Sequence, residues 1–535
     1  MYPKSMIVAA QPEAAEAGAK VLMAGGNAID AAVTAALVQG AVDPQMCGIA
    51  GFGNCQVYMP GQDIHTCIDF HGKTPLAATS DMWEDLIISE TRDGFGFVLE
   101  DNINDLGYQS ITTPGSLKAY YELLENFGSW DWADVMAPAI QHAENGFTVR
   151  PHVAFWWNYG ANYGRVGVDE RLRFSRTGAN CYFDSSGNLK KIGDKIKISG
   201  MADTLCKIAK HGPEIFYKGE IAEKISEDMK RNDGLLSYED LSTYSTKWTE
   251  PLLGKYKEFK VFTNHPPGGG IMLLEMLNII ENLNLSGLSH NSSEYIRIIC
   301  EVMKQATVDK ESFVGDPNFV DVPIDHLLSN KHAKECAENI LSGNKVKVDR
   351  IGQFEPKDTT HVSVVDKHGN CVTMTHSLGM PSGVITDGLG FMYNGCMAVF
   401  DPRPGRPGSI EPGKSRFSSL APTIVSKNSD PYMVLGAPGG TQIAMGILQT
   451  ILNVIEFDMS MLAAVSAPRF SATSNIIDVT NRIPSFITKE LERLDYDVQR
   501  SPLTFGIAAV HGIRIDDGAM DGGADPGHDG VSLTI

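Results

Sequence analysis

A chain of 535 residues, 43% apolar and 21% charged, can bury a large core and has the composition of an ordinary globular protein. Its 45 basic residues against 65 acidic ones leave a formal charge of −20, which argues against nucleic acid or an anionic membrane surface as partner. No apolar run reaches the ~18 residues of a membrane span, and the first residues lack the apolar core and cleavage site of a signal peptide. The nine cysteines are scattered without a C-x-x-C pair, and the fourteen histidines show no H-x-x-x-H or H-x-H spacing. The expectation is a reduced, cytoplasmic protein with neither cofactor nor metal.

In chain order, the spacing of small and apolar residues predicts a helix over Pro12–Met23, broken by Gly25-Gly26. Asn27 reads as an N-cap with Asp30 three positions on, opening an Ala/Val-rich helix to about Val42 that packs closely on a sheet. Strands are expected near Gln56–Met59 and His65–Phe70. Residues 112–340 read as a helical middle, with helices from Ser116, over Trp132–Asn145, Glu220–Met229, Ile271–Leu283 and Ser293–Ser312. Residues 341–358 are polar and irregular, an exposed linker open to proteolysis or self-cleavage. Beyond Thr359 come short Val/Thr/Ile strands, interrupted by helices over Gln442–Phe457 and Ser485–Leu494.

The junction at that linker carries the chemistry. Glu355-Pro356-Lys357-Asp358 runs into Thr359-Thr360-His361-Val362-Ser363-Val364-Val365-Asp366, whose β-branched alternation predicts a buried strand with a hydroxyl residue first. Left intact, Thr-Thr is simply good β-propensity. Cut before Thr359, one residue carries both a hydroxyl and a free α-amine, whose ordinary pKa near ~8 suits it as base for its own hydroxyl.

Several segments in one order resemble the γ-glutamyltransferase family of N-terminal-nucleophile (Ntn) hydrolases. They are Gly25-Gly26-Asn27-Ala28-Ile29-Asp30-Ala31-Ala32, Thr113-Pro114-Gly115-Ser116, Pro266-Pro267-Gly268-Gly269-Gly270 and Gly315-Asp316-Pro317. Asp358-Thr359-Thr360-His361, Ser418-Ser419-Leu420-Ala421-Pro422-Thr423 and Gly436-Ala437-Pro438-Gly439-Gly440 complete the set. The resemblance implies an α/β, four-layer αββα sandwich with a helical region in its large subunit. It implies scission between Asp358 and Thr359, giving a large subunit of residues 1–358 and a small one of 359–535. Thr359 would then attack an amide carbonyl and form an acyl-enzyme, with Ser377 placing its amine and the Gly439 and Gly440 N–H groups holding the oxyanion. Ser418 and Ser419 would contact a substrate carboxylate. The partners implied are a small-molecule amide and the two subunits of one precursor, with a dimer of such pairs a further option.

The sequence departs from the family where the glutamyl head group is held. His71 stands where an arginine binds the α-carboxylate. Cys396 and Val399 replace a glutamine and an aspartate that bind the ammonium, and Gly379 replaces an asparagine. The segment Asp401–Ser409 is shorter than the transferase lid, and its Arg403 and Arg406 either bind a substrate carboxylate or pair with local carboxylates. An amidohydrolase of oxamate or acylase type, cutting something other than a γ-glutamyl bond, is therefore the expected activity. A genuine γ-glutamyl transferase or glutathione hydrolase is the alternative, and a non-processing binding or structural homologue the third.

Overall fold

In the computed structural model, which describes residues 4–90, 96–158, 164–349 and 359–535, the alternation after Thr359 becomes the strand Thr360–Val365, buried at every position. It pairs antiparallel with Cys371–Ser377, Thr360 opposite His376 and Val365 opposite Cys371. Both strands are covered on two faces, so their sequences carry Val, Thr and His rather than charge.

These two strands lie inside a seven-stranded sheet. Its order is Val531–Thr534, Met6–Ala9, Thr360–Val365, Cys371–Ser377, Phe52–Met59, Ile64–Phe70 and Lys247–Thr249. A six-stranded sheet runs Ala519–Gly523, His511–Asp516, Asp430–Gly436, Thr423–Lys427, Phe259–Thr263 and Leu252–Tyr256. The sheets pack face to face through Met6, Val8 and Val365 against Ile424, Val434 and Ile513. Helices Pro12–Met23 and Ala28–Val42 cover the first sheet, and Gly270–Glu281 with Ile443–Phe457 the second. This is the four-layer αββα sandwich of the Ntn type, with the helices Ser116–Phe127 through Glu220–Arg231 flanking it.

Local sequence explains the tie between the helix layer and the strand Thr360–Val365. Asn27 accepts the Ile29 and Asp30 N–H groups while Asp30 accepts the Asn27 N–H, completing the capping box. Asp366, at the end of Thr360–Val365, accepts the Ala28 N–H at 3.0 Å. The helix is buried at all fifteen positions, which its alanines and glycine permit.

One element is new and one expectation needs correction. The strand Met6–Ala9 was not foreseen, because four apolar residues have no readable period; its place comes from pairing with Thr360–Val365 on one side and Val531–Thr534 on the other. The middle is not wholly helical either. Lys247–Thr249 joins the first sheet, while Leu252–Tyr256 and Phe259–Thr263 form a hairpin turning at Lys257, which adopts φ 52°. The hairpin's alternating burial spans five residues per strand, too short to stand out among helices. No helix among the described residues is long and apolar enough to cross a membrane. Asp358 lies outside the described residues, as do all of 350–358.

Candidate active site

Thr359 immediately precedes its strand and is 5% exposed. Its Oγ1 donates to Ser377 Oγ at 3.1 Å, and Ser377 Oγ accepts the Gly379 N–H at 2.9 Å. Ser377 ends the adjacent strand, so sheet register sets this contact. The Ser377 hydroxyl is thus beside Thr359.

A polar layer backs the pair. Thr360 Oγ1 donates to Gln11 Oε1 at 2.9 Å and accepts from Gln39 Nε2 at 2.8 Å. His376 donates from Nε2 to Gln39 Oε1 at 2.8 Å, which leaves its Nδ1 to accept from Tyr120 Oη at 2.7 Å. His361 contacts Thr375 Oγ1 and Ser363 Oγ, each at 2.8 Å. Burial lowers both imidazoles to about 3, helped at His361 by His376. Both rings are neutral at working pH. Unfolded, each returns to about 6.5, so between those values the unfolded chain holds more protons. Stability is accordingly expected to fall as pH drops from about 6.5 toward 3. Thermal melts over that range check this, and His376→Gln is expected to flatten the acid limb.

The strand Asp430–Gly436 faces the strand Thr360–Val365, and Gly436 lies against the His361 ring, where a Cβ would clash with His361 Cε1. The turn after it reaches Gly439, whose φ of +140° and contact with Ala508 exclude a side chain. Gly440 opens a short 3₁₀ turn that leads directly into Ile443–Phe457. The first N–H groups of a helix have no partner within it and carry its positive end. Donors of that kind suit a developing oxyanion.

Ser418 and Ser419 are both buried. Ser418 N–H donates to Pro267 O at 2.9 Å, and the Ser419 carbonyl presses so close to Gly269 that a Cβ would meet it at 2.5 Å. The Pro-Pro-Gly-Gly-Gly motif therefore cradles this pair. His71 is 1% exposed, its Nδ1 2.6 Å from Asp69 Oδ1 and its Nε2 2.5 Å from Ser418 Oγ. Asp69, His71 and Ser418 form a hydrogen-bonded series with the reach of a Ser-His-Asp triad.

Arg416 was missed in the sequence. Its guanidinium, 2% exposed, stacks over Phe52 at 4.7 Å and donates from Nη1 to Cys396 Sγ at 3.4 Å. Gly379 adopts φ +75°, and a Cβ there would lie 2.9 Å from Arg416 Nη1 and 3.1 Å from Cys396 Sγ. Asparagine tolerates such a φ, and its Cβ there would require the Arg416 guanidinium to shift. Arg416 thus lies directly beside Gly379, in the space a side chain at that position would enter. Because Gly379 also donates to Ser377, the cation stands next to the hydrogen-bond partner of Thr359.

Arg416, Ser418 and Ser419 line a cavity of about 400 Å³, bordered by Val399, Arg403 and Arg406. Arg403 pairs with Asp401 through two nitrogens at 2.7 Å and lies 3.6 Å from Glu90. Arg406 Nε is 3.7 Å from Asp401. Both arginines thus border the cavity with local carboxylate partners. Lys73 instead donates to Ser245 O at 3.0 Å.

The gamma-glutamyltranspeptidase family model matches residues 14–535. The chain is 33% identical to the acylase ACY 1 proenzyme of Pseudomonas sp. (strain V22), over 99% of this chain and 94% of that one. It is 31% identical to the glutathione hydrolase proenzyme of Bacillus subtilis (strain 168), over 99% and 91%. A crystal structure of cephalosporin acylase from Bacillus halodurans superposes with a TM-score of 0.86 at 28% identity, covering 99% of this chain and 96% of that one. Motif order, layered fold and whole-length similarity agree that this chain belongs to the gamma-glutamyltranspeptidase family.

Proposed function

We propose that the chain is a precursor that cuts itself before Thr359 and then hydrolyses amides whose acyl group bears a carboxylate but no adjacent ammonium. Thr359 Oγ1 adds to the amide carbonyl while the new α-amine takes its proton; the leaving amine departs protonated, and water cleaves the resulting ester. The turn at Gly439 and Gly440 would hold the oxyanion, and Ser377 keeps Thr359 oriented.

One observation carries the substrate reading: a guanidinium occupies the space beside Gly379 and Cys396, two positions at which the family resemblance implies contacts to the glutamyl head group. A cation there repels an ammonium and pairs with a carboxylate. Dicarboxylic acid monoamides fit, among them oxamate and glutaryl amides, and the acylase relatives favour this side of the family. Glutaryl-p-nitroanilide and γ-glutamyl-p-nitroanilide differ only in the α-ammonium. Processed protein is expected to prefer the glutaryl compound by tenfold or more, about 1.4 kcal/mol. Faster turnover of the γ-glutamyl compound would establish a glutathione-hydrolase-type specificity instead.

A further inference from the structure

Three helices behind the second sheet bring together side chains that amide cleavage does not use. Glu275 on Gly270–Glu281, Asp309 on Ser293–Phe313 and His332 on Asn330–Leu341 are 2%, 6% and 8% exposed. His332 Nε2 lies 3.2 Å from a Glu275 oxygen and 3.3 Å from an Asp309 oxygen. One donor atom from each residue lies within 4.8 Å of the other two.

A single N–H serves one carboxylate well, at about 2.7–2.9 Å when the pair is charged. Here two carboxylates share one nitrogen at longer and nearly equal distances. Donors about 2.1 Å from a common centre, and roughly 90–110° apart around it, are about 3.0–3.4 Å from each other. The two nitrogen–oxygen spacings fall in that range. Gln305 Nε2 donates to Asp309 Oδ2 at 2.7 Å, orienting that carboxylate from behind. Cys336, one turn after His332, keeps its Sγ 3.7 Å from the same Nε2.

We propose that Glu275, Asp309 and His332 form a zinc site that joins these three helices, with the fourth position left to water, apart from the amide-cleaving centre. One nitrogen and two carboxylate oxygens suit zinc, whereas calcium and magnesium take about six or more oxygen ligands. The site stands or falls independently of the substrate.

The test uses the full chain, dialysed against chelator, given zinc chloride and gel-filtered. About one zinc per chain is expected by elemental analysis, with a thermal midpoint that rises as zinc is added. Glu275→Gln and His332→Gln are expected to lose both the metal and the rise. Should either variant fail to fold, the wild-type comparison of chelated and zinc-loaded protein still decides the matter. Folded wild type that takes up no zinc overturns the proposal, as does zinc retained undiminished by both variants.

Discussion

Thr359→Ala is expected to leave one band near 58.1 kDa on a denaturing gel and to remove amide hydrolysis, a loss of at least about 10⁴-fold. Removing Oγ1 deletes the atom that would attack both the preceding peptide carbonyl and the substrate. Thr359→Ser keeps that oxygen and is expected to process and turn over, more slowly, since the methyl that limits χ1 is gone. A nearby hydroxyl gives the experiment a sharp counter-outcome. Ser418 has a histidine at 2.5 Å, itself oriented by Asp69 at 2.6 Å. Hydrolysis that survives Thr359→Ala and disappears with Ser418→Ala would move the nucleophile to that series.

Arg416→Met should cost the glutaryl substrate about 30–1,000-fold in kcat/KM, from the roughly 2–4 kcal/mol typical of losing one partner of a buried charge pair. The γ-glutamyl substrate should lose far less, because its ammonium is relieved of a repelling neighbour. Arg416→Lys separates charge from shape: it keeps the cation without the planar fork and should fall between wild type and methionine. Gly379→Asn in the methionine background should narrow the gap further, since the Cβ no longer meets a guanidinium at 2.9 Å. Equal losses on both substrates would show that Arg416 supports the fold rather than selecting the acyl group.

Much of the architecture was legible because its signals are local. The Asn27–Asp30 box, the alternation after Thr359 and the glycine turn at Gly439 each declare themselves within a few residues. Thr359 and Ser377, both named from the motif series, are hydrogen-bonded at 3.1 Å. What stayed hidden depends on distant pairing. Met6–Ala9 becomes a strand only through partners some 350 and 520 positions away. Arg416 stands two residues before Ser418, yet its significance arises from the space left by Gly379 and Cys396. The Glu275, Asp309 and His332 group escapes any spacing rule because each side chain comes from a different helix.

The first sheet interleaves strands from either side of Thr359. Met6–Ala9 lies between Val531–Thr534 and Thr360–Val365, and Phe52–Met59 is bonded to Cys371–Ser377. Breaking the backbone at that residue would therefore free no rigid body: the two polypeptides remain zipped by continuous hydrogen-bond ladders. Sedimentation or light scattering of native material would register no change in mass, and the products could be parted only by melting the β-sheet itself. Maturation of this kind is covalently irreversible yet architecturally silent, a change in chemistry without a change in assembly.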